Sequence, residues 1–111
     1  MTDAANKERI RTLNDQFRAN LKPGRVLISA GVQALGQEAL PEVLDAVQKF
    51  AAFSPDNDPH REHDFGSFEY EGTKLFWKID YYDAACQFGS DDPADPANTT
   101  RVLTIMLAVE Y

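Results

Sequence analysis

Apolar residues recur along the first quarter of the chain at helical spacing. Ile10, Leu13, Phe17 and Leu21 follow one another at steps of three and four, which puts them on one stripe of a helix facing a core. Asp3 stands where an N-cap is expected. Lys22-Pro23-Gly24 stops the helix, because proline cannot continue it and glycine accepts a left-handed turn. Arg25-Val26-Leu27-Ile28-Ser29 is then short, β-branched and apolar, the composition of a buried strand. Gly31 and Gly36 mark a loop. A second helix is predicted to begin near Leu40-Pro41, with Pro41 in a first turn where its missing N–H goes unused. Leu40, Val43, Leu44, Val47, Phe50 and Ala51 form its apolar face.

Beyond Phe53 the period shortens. Residues 54–64 are a polar loop holding Pro55 and Pro59. Two strand-like runs, Phe65 to Tyr70 and Thr73 to Tyr82, flank Glu71-Gly72, a tight hairpin turn in which glycine supplies a positive φ. Leu75, Trp77, Ile79 and Tyr81 alternate with Lys74, Phe76, Lys78 and Asp80, the period of a sheet with a core face. Eight of the twelve aromatic residues fall between Phe65 and Phe88, which makes the hairpin the expected centre of the core. A second polar loop covers residues 89–96. In residues 100–111 both alternating sets are apolar, as suits a central strand; a helical period also fits, and the β-branched content favours the strand. The expected architecture is α+β: two helices packed on one face of an antiparallel sheet of about four strands. It forms a single domain over residues 1–111, without internal repeats.

Composition narrows the function classes. A chain of 111 residues with 43% hydrophobic content is long enough for one core and too apolar for a disordered acidic tail. The apolar run Ile105 to Val109 is too short to cross a bilayer, and the first residues lack the apolar core of a secretory signal, so a cytoplasmic protein is expected. The single Cys86 excludes an internal disulfide framework. A formal charge of −7 argues against direct nucleic-acid binding. That charge is uneven: residues 1–25 carry a net +3 and residues 26–111 a net −10, with eleven carboxylates between Ser54 and Asp95.

The densest polar run, Asp56 to Asp64, contains both histidines of the protein. His60 and His63 with Asp64 or Glu62 would suit zinc or another divalent ion. The spacing is not that of a metalloprotease helix, and no calcium loop fits, since Arg61 replaces the required glycine. A structural role suits the same residues better, with Asp58 and Asp64 bonding local backbone N–H groups and His63 a partly buried hydrogen-bonding spacer. Continuing the hairpin pairing sets Asp80 opposite His63, an arrangement for a general base with its orienting carboxylate or for a structural ion pair. Cys86 has no histidine partner implied by spacing. No glycine-rich phosphate loop appears; the basic helix face of Lys7, Arg11 and Arg18 offers phosphate contacts, but a solvated face or an internal match to the acidic half is the better reading.

Several of these runs carry a resemblance. Asn57-Asp58-Pro59-His60, His63-Asp64-Phe65-Gly66, Phe76 to Asp83, Asp92 to Pro96 and Thr100 to Ala108 are similar to a small uncharacterised bacterial family, domain of unknown function 3768. The likeness runs from about Arg9 to Tyr111, with Trp77-Lys78-Ile79-Asp80-Tyr81-Tyr82-Asp83 its most specific stretch. It implies a stand-alone bacterial protein, often carried on plasmids or other mobile elements, and lends no catalytic residue.

Two function classes follow. The first is an acidic interaction protein that docks on a basic protein partner through Asp56, Asp58, Glu62, Asp64, Asp80, Asp83, Asp91, Asp92 and Asp95. In its sharpest form these carboxylates imitate nucleic acid and antagonise a defence or DNA-binding protein, without a cofactor. The alternative is a small metal-dependent or acid–base enzyme built on His60, His63, Asp64 and Asp80. A homodimer formed through the apolar faces of the last strand is a third expectation.

Overall fold

A computed structural model describes residues 3–111. Helix α1 (Asp3–Asn20) leads to strand β1 (Arg25–Ile28), a short helix α2 (Ala30–Gln33) and helix α3 (Ala39–Gln48). The hairpin β2 (Phe65–Tyr70) and β3 (Thr73–Tyr82) precedes strand β4 (Thr100–Leu107) and a closing 3-10 turn (Ala108–Glu110). Among the described residues the class is α+β as expected, with the two expected helices, α1 and α3, and a short third one, α2, between them. The N-cap expected of Asp3 falls outside the residues whose side chains are described.

The four strands lie in the order β1-β4-β3-β2. The hairpin has the predicted register, from Tyr70 opposite Thr73 to Phe65 opposite Lys78. Strand β4 is central, antiparallel to β3 and flanked by β1 on its other side. The sheet is mixed, which corrects the antiparallel expectation: β1 runs parallel to β4, Arg25 facing Val102 and Ile28 facing Ile105. Parallel pairing needs a long crossover, and helices α2 and α3 with the hairpin supply it. Strand β1 is also not buried. It is an edge with one neighbour, and Leu27 remains mostly exposed.

The core collects Phe17 of α1, Val32 of α2, and Val43 and Val47 of α3 with Leu75, Trp77, Ile79, Leu103 and Ile105. The strand residues are one alternating set, so they share one face of the sheet. Pro41 lies in the first turn of α3, as expected. That helix ends at Gln48, so Phe50 packs from beyond it, edge-on against Trp77 with ring centroids 5.5 Å apart.

Part of the stretch expected as a loop between Gly31 and Gly36 is helical because Ser29, just before it, and Glu110, near the C-terminus, cap it. Ser29 Oγ accepts from the Val32 amide at 3.2 Å. Glu110 receives the Ser29 hydroxyl at 2.6 Å and the amides of Gly31 and Leu107 at 3.1 and 2.8 Å. The Ser29 bond, followed by these amides, holds the Glu110 carboxyl below its ordinary value.

Gly66 marks where the hairpin comes closest to its neighbours. A Cβ there would stand 2.4 Å from Trp77 Nε1 and 2.8 Å from Phe50 Cε1. At Gly89 it would meet nothing nearer than 3.9 Å. Gly66→Ala should therefore destabilise the protein by about 2 kcal/mol, as overpacking does. Gly89→Ala should stay within about 0.5 kcal/mol of wild type. Urea unfolding of the two variants checks the pair.

Candidate functional site

Helix α1 carries two polar residues on its inward stripe, and each organises a different neighbour. Asn14 is 0% exposed and uses both ends of its amide. Its Oδ1 accepts from Arg101 Nε at 2.7 Å. Its Nδ2 donates to the Tyr81 hydroxyl at 2.8 Å and to the Glu62 carbonyl at 2.9 Å. The Tyr81 hydroxyl donates in turn to Glu62 Oε1 at 2.8 Å, while Arg101, 4% exposed, reaches the Pro93 carbonyl at 2.5 Å and lies over the Tyr81 ring. One amide thus joins α1, both central strands and both polar loops. Burial pulls the Arg101 guanidinium below its usual value and pushes the Tyr81 phenol well above its own.

One turn later, Arg18 turns inward instead of facing solvent with Lys7 and Arg11, which corrects the single basic face expected for α1. Its Nη1 donates to the carbonyls of Val47 and Phe50, each at 2.8 Å, and so closes the C-terminus of α3. Its Nη2 meets Asp15 at 3.3 Å, and the guanidinium lies 4.9 Å from the Trp77 ring. The indole face and the carbonyl acceptors offset the cost of burying this charge, although Arg18 Nε itself has no hydrogen-bond partner among the described residues.

The loop over residues 54–64 is built around Asp58, only 5% exposed. Asp58 Oδ1 accepts from the amides of Glu62 and His63 at 3.1 and 3.2 Å, and its carbonyl accepts from the Arg61 amide. Arg61 and His63 both adopt the left-handed conformation, with φ of 57° and 54°. That turn swings His63 away from the hairpin. Its ring stacks on Phe53 at 3.7 Å, Nδ1 meets Asp15 Oδ1 at 2.9 Å, and Nε2 stands 3.6 Å from Asp58 Oδ2.

The expected juxtaposition of His63 and Asp80 therefore does not form. Asp80 alternates with Ile79 and Tyr81, points away from the core and pairs with Lys78 at 2.8 Å. His60 is exposed, and Asp64 is half-buried with its carbonyl bonded to the Ile79 amide at 2.8 Å. Among the described residues, no group of three or more His, Cys, Asp or Glu is placed to hold a metal ion. Hence His60, His63 and Asp64 do not converge into a ligand set.

The acidic residues do not share one face either. Asp58 is buried in its loop, Glu62 is held by Tyr81, and Asp80 lies on the other side of the sheet. Asp56 is exposed on the first loop. Asp83, Asp91, Asp92 and Asp95 gather instead around a concavity of about 740 Å³ on the second loop, with Phe88 in its wall. Phe88 is 72% exposed. Helix α1 separates the two loops: Arg9 donates to the Ala94 carbonyl at 2.7 Å, and Arg11 reaches the Arg61 carbonyl at 3.5 Å.

Asn14→Ala should cost about 3 kcal/mol, because it strands a buried guanidinium donor. Tyr81→Phe should cost about 2 kcal/mol, because it removes two hydrogen bonds, one of them to a carboxylate. Denaturant titration reads both. Asp64 gives a pH test. Burial first, then the charges of Glu62 and Asp58, raise its pKa above the ordinary 3.8. A raised carboxylate favours the folded state while protonated, and that advantage disappears as pH rises through the folded value. Asp64→Asn should therefore raise the melting temperature near neutral pH and leave it little changed near pH 3. An equal gain at both pH values would show that charge is not the cause.

A family model described as "Protein of unknown function (DUF3768)" matches residues 28–110. No curated protein and no solved structure matches the chain.

Proposed function

The chain belongs to the family described as "Protein of unknown function (DUF3768)", and from that premise we propose that it acts by protein–protein interaction, presenting the second-loop concavity to a basic partner. One observation carries the reading. Asp83, Asp91, Asp92 and Asp95 line a single concave surface, no lysine or arginine lines it among the described residues, and a largely exposed Phe88 stands in its wall. A carboxylate rim steers a cationic partner into encounter, and an exposed aromatic supplies apolar area that becomes dry on docking. Carboxylates distributed around a hollow also resemble the charge pattern of a phosphate backbone. In its finer form the proposal is therefore a nucleic-acid mimic that occupies the binding face of a DNA-binding or defence protein, in a bacterial cytoplasm and encoded on mobile DNA. The acid–base alternative draws no support from the geometry, because Asp80 and His63 occupy different surroundings.

The test begins with affinity capture from source cells, mass-spectrometric identification of the bound protein, and titration of that purified partner. Asp91→Asn/Asp92→Asn/Asp95→Asn removes three charges while keeping an acceptor oxygen at each position. It should weaken binding by about tenfold or more, and wild-type affinity should fall steeply between roughly 0.05 and 0.5 M salt. An affinity indifferent to both the substitutions and the salt would overturn the proposal.

A further inference from the structure

The cations of α1 that stay outside meet the first loop across a groove. Lys7, Arg11, His60 and Arg61 line a concavity of about 440 Å³. A second concavity of about 380 Å³ is lined by Arg11 and Arg61 again, with Phe53, Pro55 and His63. The two share Arg11, Pro59 and Arg61, so they lie side by side, and together they are called the groove.

In a protein of net charge −7, this groove is under-neutralised. Lys7, Arg11 and Arg61 have no carboxylate within 4.0 Å among the described residues. The nearby carboxylates are mostly committed elsewhere. Asp15 is held by Arg18 and His63, and Asp58, which lines the second concavity, spends Oδ1 on two backbone amides; Glu8 on the rim and Asp56 on the loop stay exposed. The Arg11 side chain and the Arg61 backbone are also positioned. Arg11 donates to the Arg61 carbonyl at 3.5 Å, and the Asp58-centred turn fixes Arg61 in its left-handed conformation. Beyond the cations, the groove is lined by Phe53, by Pro55 and by the His63 ring that stacks on Phe53.

Paired guanidiniums and an ammonium suit a phosphate group, which guanidinium forks bind with two parallel hydrogen bonds. Groove dimensions of this order take small molecules. We propose that the groove binds a small phosphate-bearing ligand of the nucleoside phosphate class, with its phosphates on Lys7, Arg11 and Arg61 and its apolar part against Phe53 and Pro55. This site lies across α1 from the acidic concavity and is independent of it.

Isothermal titration of the full chain with inorganic pyrophosphate and with adenosine diphosphate tests the assignment. Both should bind, the nucleotide more tightly. Arg11→Gln and Arg61→Gln should each weaken binding by about tenfold. Lys74→Gln, a surface cation on the hairpin, should leave it unchanged. Circular dichroism confirms that each variant is folded. No binding of either probe up to roughly 10 mM would overturn the proposal. So would wild-type affinity in folded Arg11→Gln/Arg61→Gln, or binding of a short single-stranded oligonucleotide without binding of the mononucleotide.

Discussion

A single buried amide sets the arrangement of this molecule. Asn14 accepts from Arg101 and donates to Tyr81 and Glu62, and every partner comes from a different segment of the chain. Hydrophobic burial alone would let α1 slide or roll on the sheet, since dispersion contacts have little direction. The amide removes that freedom, because a shift of an ångström or two would leave an arginine, a phenol and an amide unpaired in a dry interior. Arg18 adds a second pin, from α1 to the end of α3. The net stabilisation from such bonds is modest, so their larger effect is on which packing wins.

The position of α1 in turn decides what the surface looks like. The uneven charge of the sequence suggests an acidic face set against a basic helix. In the fold, the helix lies between the two acidic loops and divides them. Arg9 is drawn to the second loop through the Ala94 carbonyl, Arg18 is buried, and Lys7 and Arg11 remain beside the first. Two surfaces of opposite character result, an acidic hollow at Asp83–Asp95 and a cationic groove at Arg11 and Arg61. Local pairing, rather than net charge, determines where each sign remains available.

Features set by neighbours in sequence were legible before the fold was known. The alternation through Trp77 and Ile79, with Gly72 at the turn, is enough to give the hairpin and its register. The two-sided apolar pattern of residues 100–107 is enough to make β4 central. Features set by distant residues were not. The parallel partner of β1 lies across a long crossover, and α2 depends on Glu110 at the other end of the chain. At the site, extrapolating the strand to His63 failed because Arg61 and His63 adopt positive φ, which non-glycine residues rarely announce. Asn14 and Arg18 did leave a signal. They stand four and eight residues after Ile10, each next in sequence to an apolar residue of the stripe, Leu13 and Phe17.

The exchange rate of the buried side-chain protons tests the central constraint most directly. In a nitrogen-15-labelled sample, the Arg101 Nε proton and the Asn14 Nδ2 protons should give dispersed resonances. Their exchange with solvent should be as slow as that of backbone amides in β3 and β4, which open only with global unfolding. Rapid exchange, at the rate of an exposed guanidinium or amide while those backbone amides stay protected, would contradict the account: α1 would then rest on the sheet without the polar bridge that fixes it.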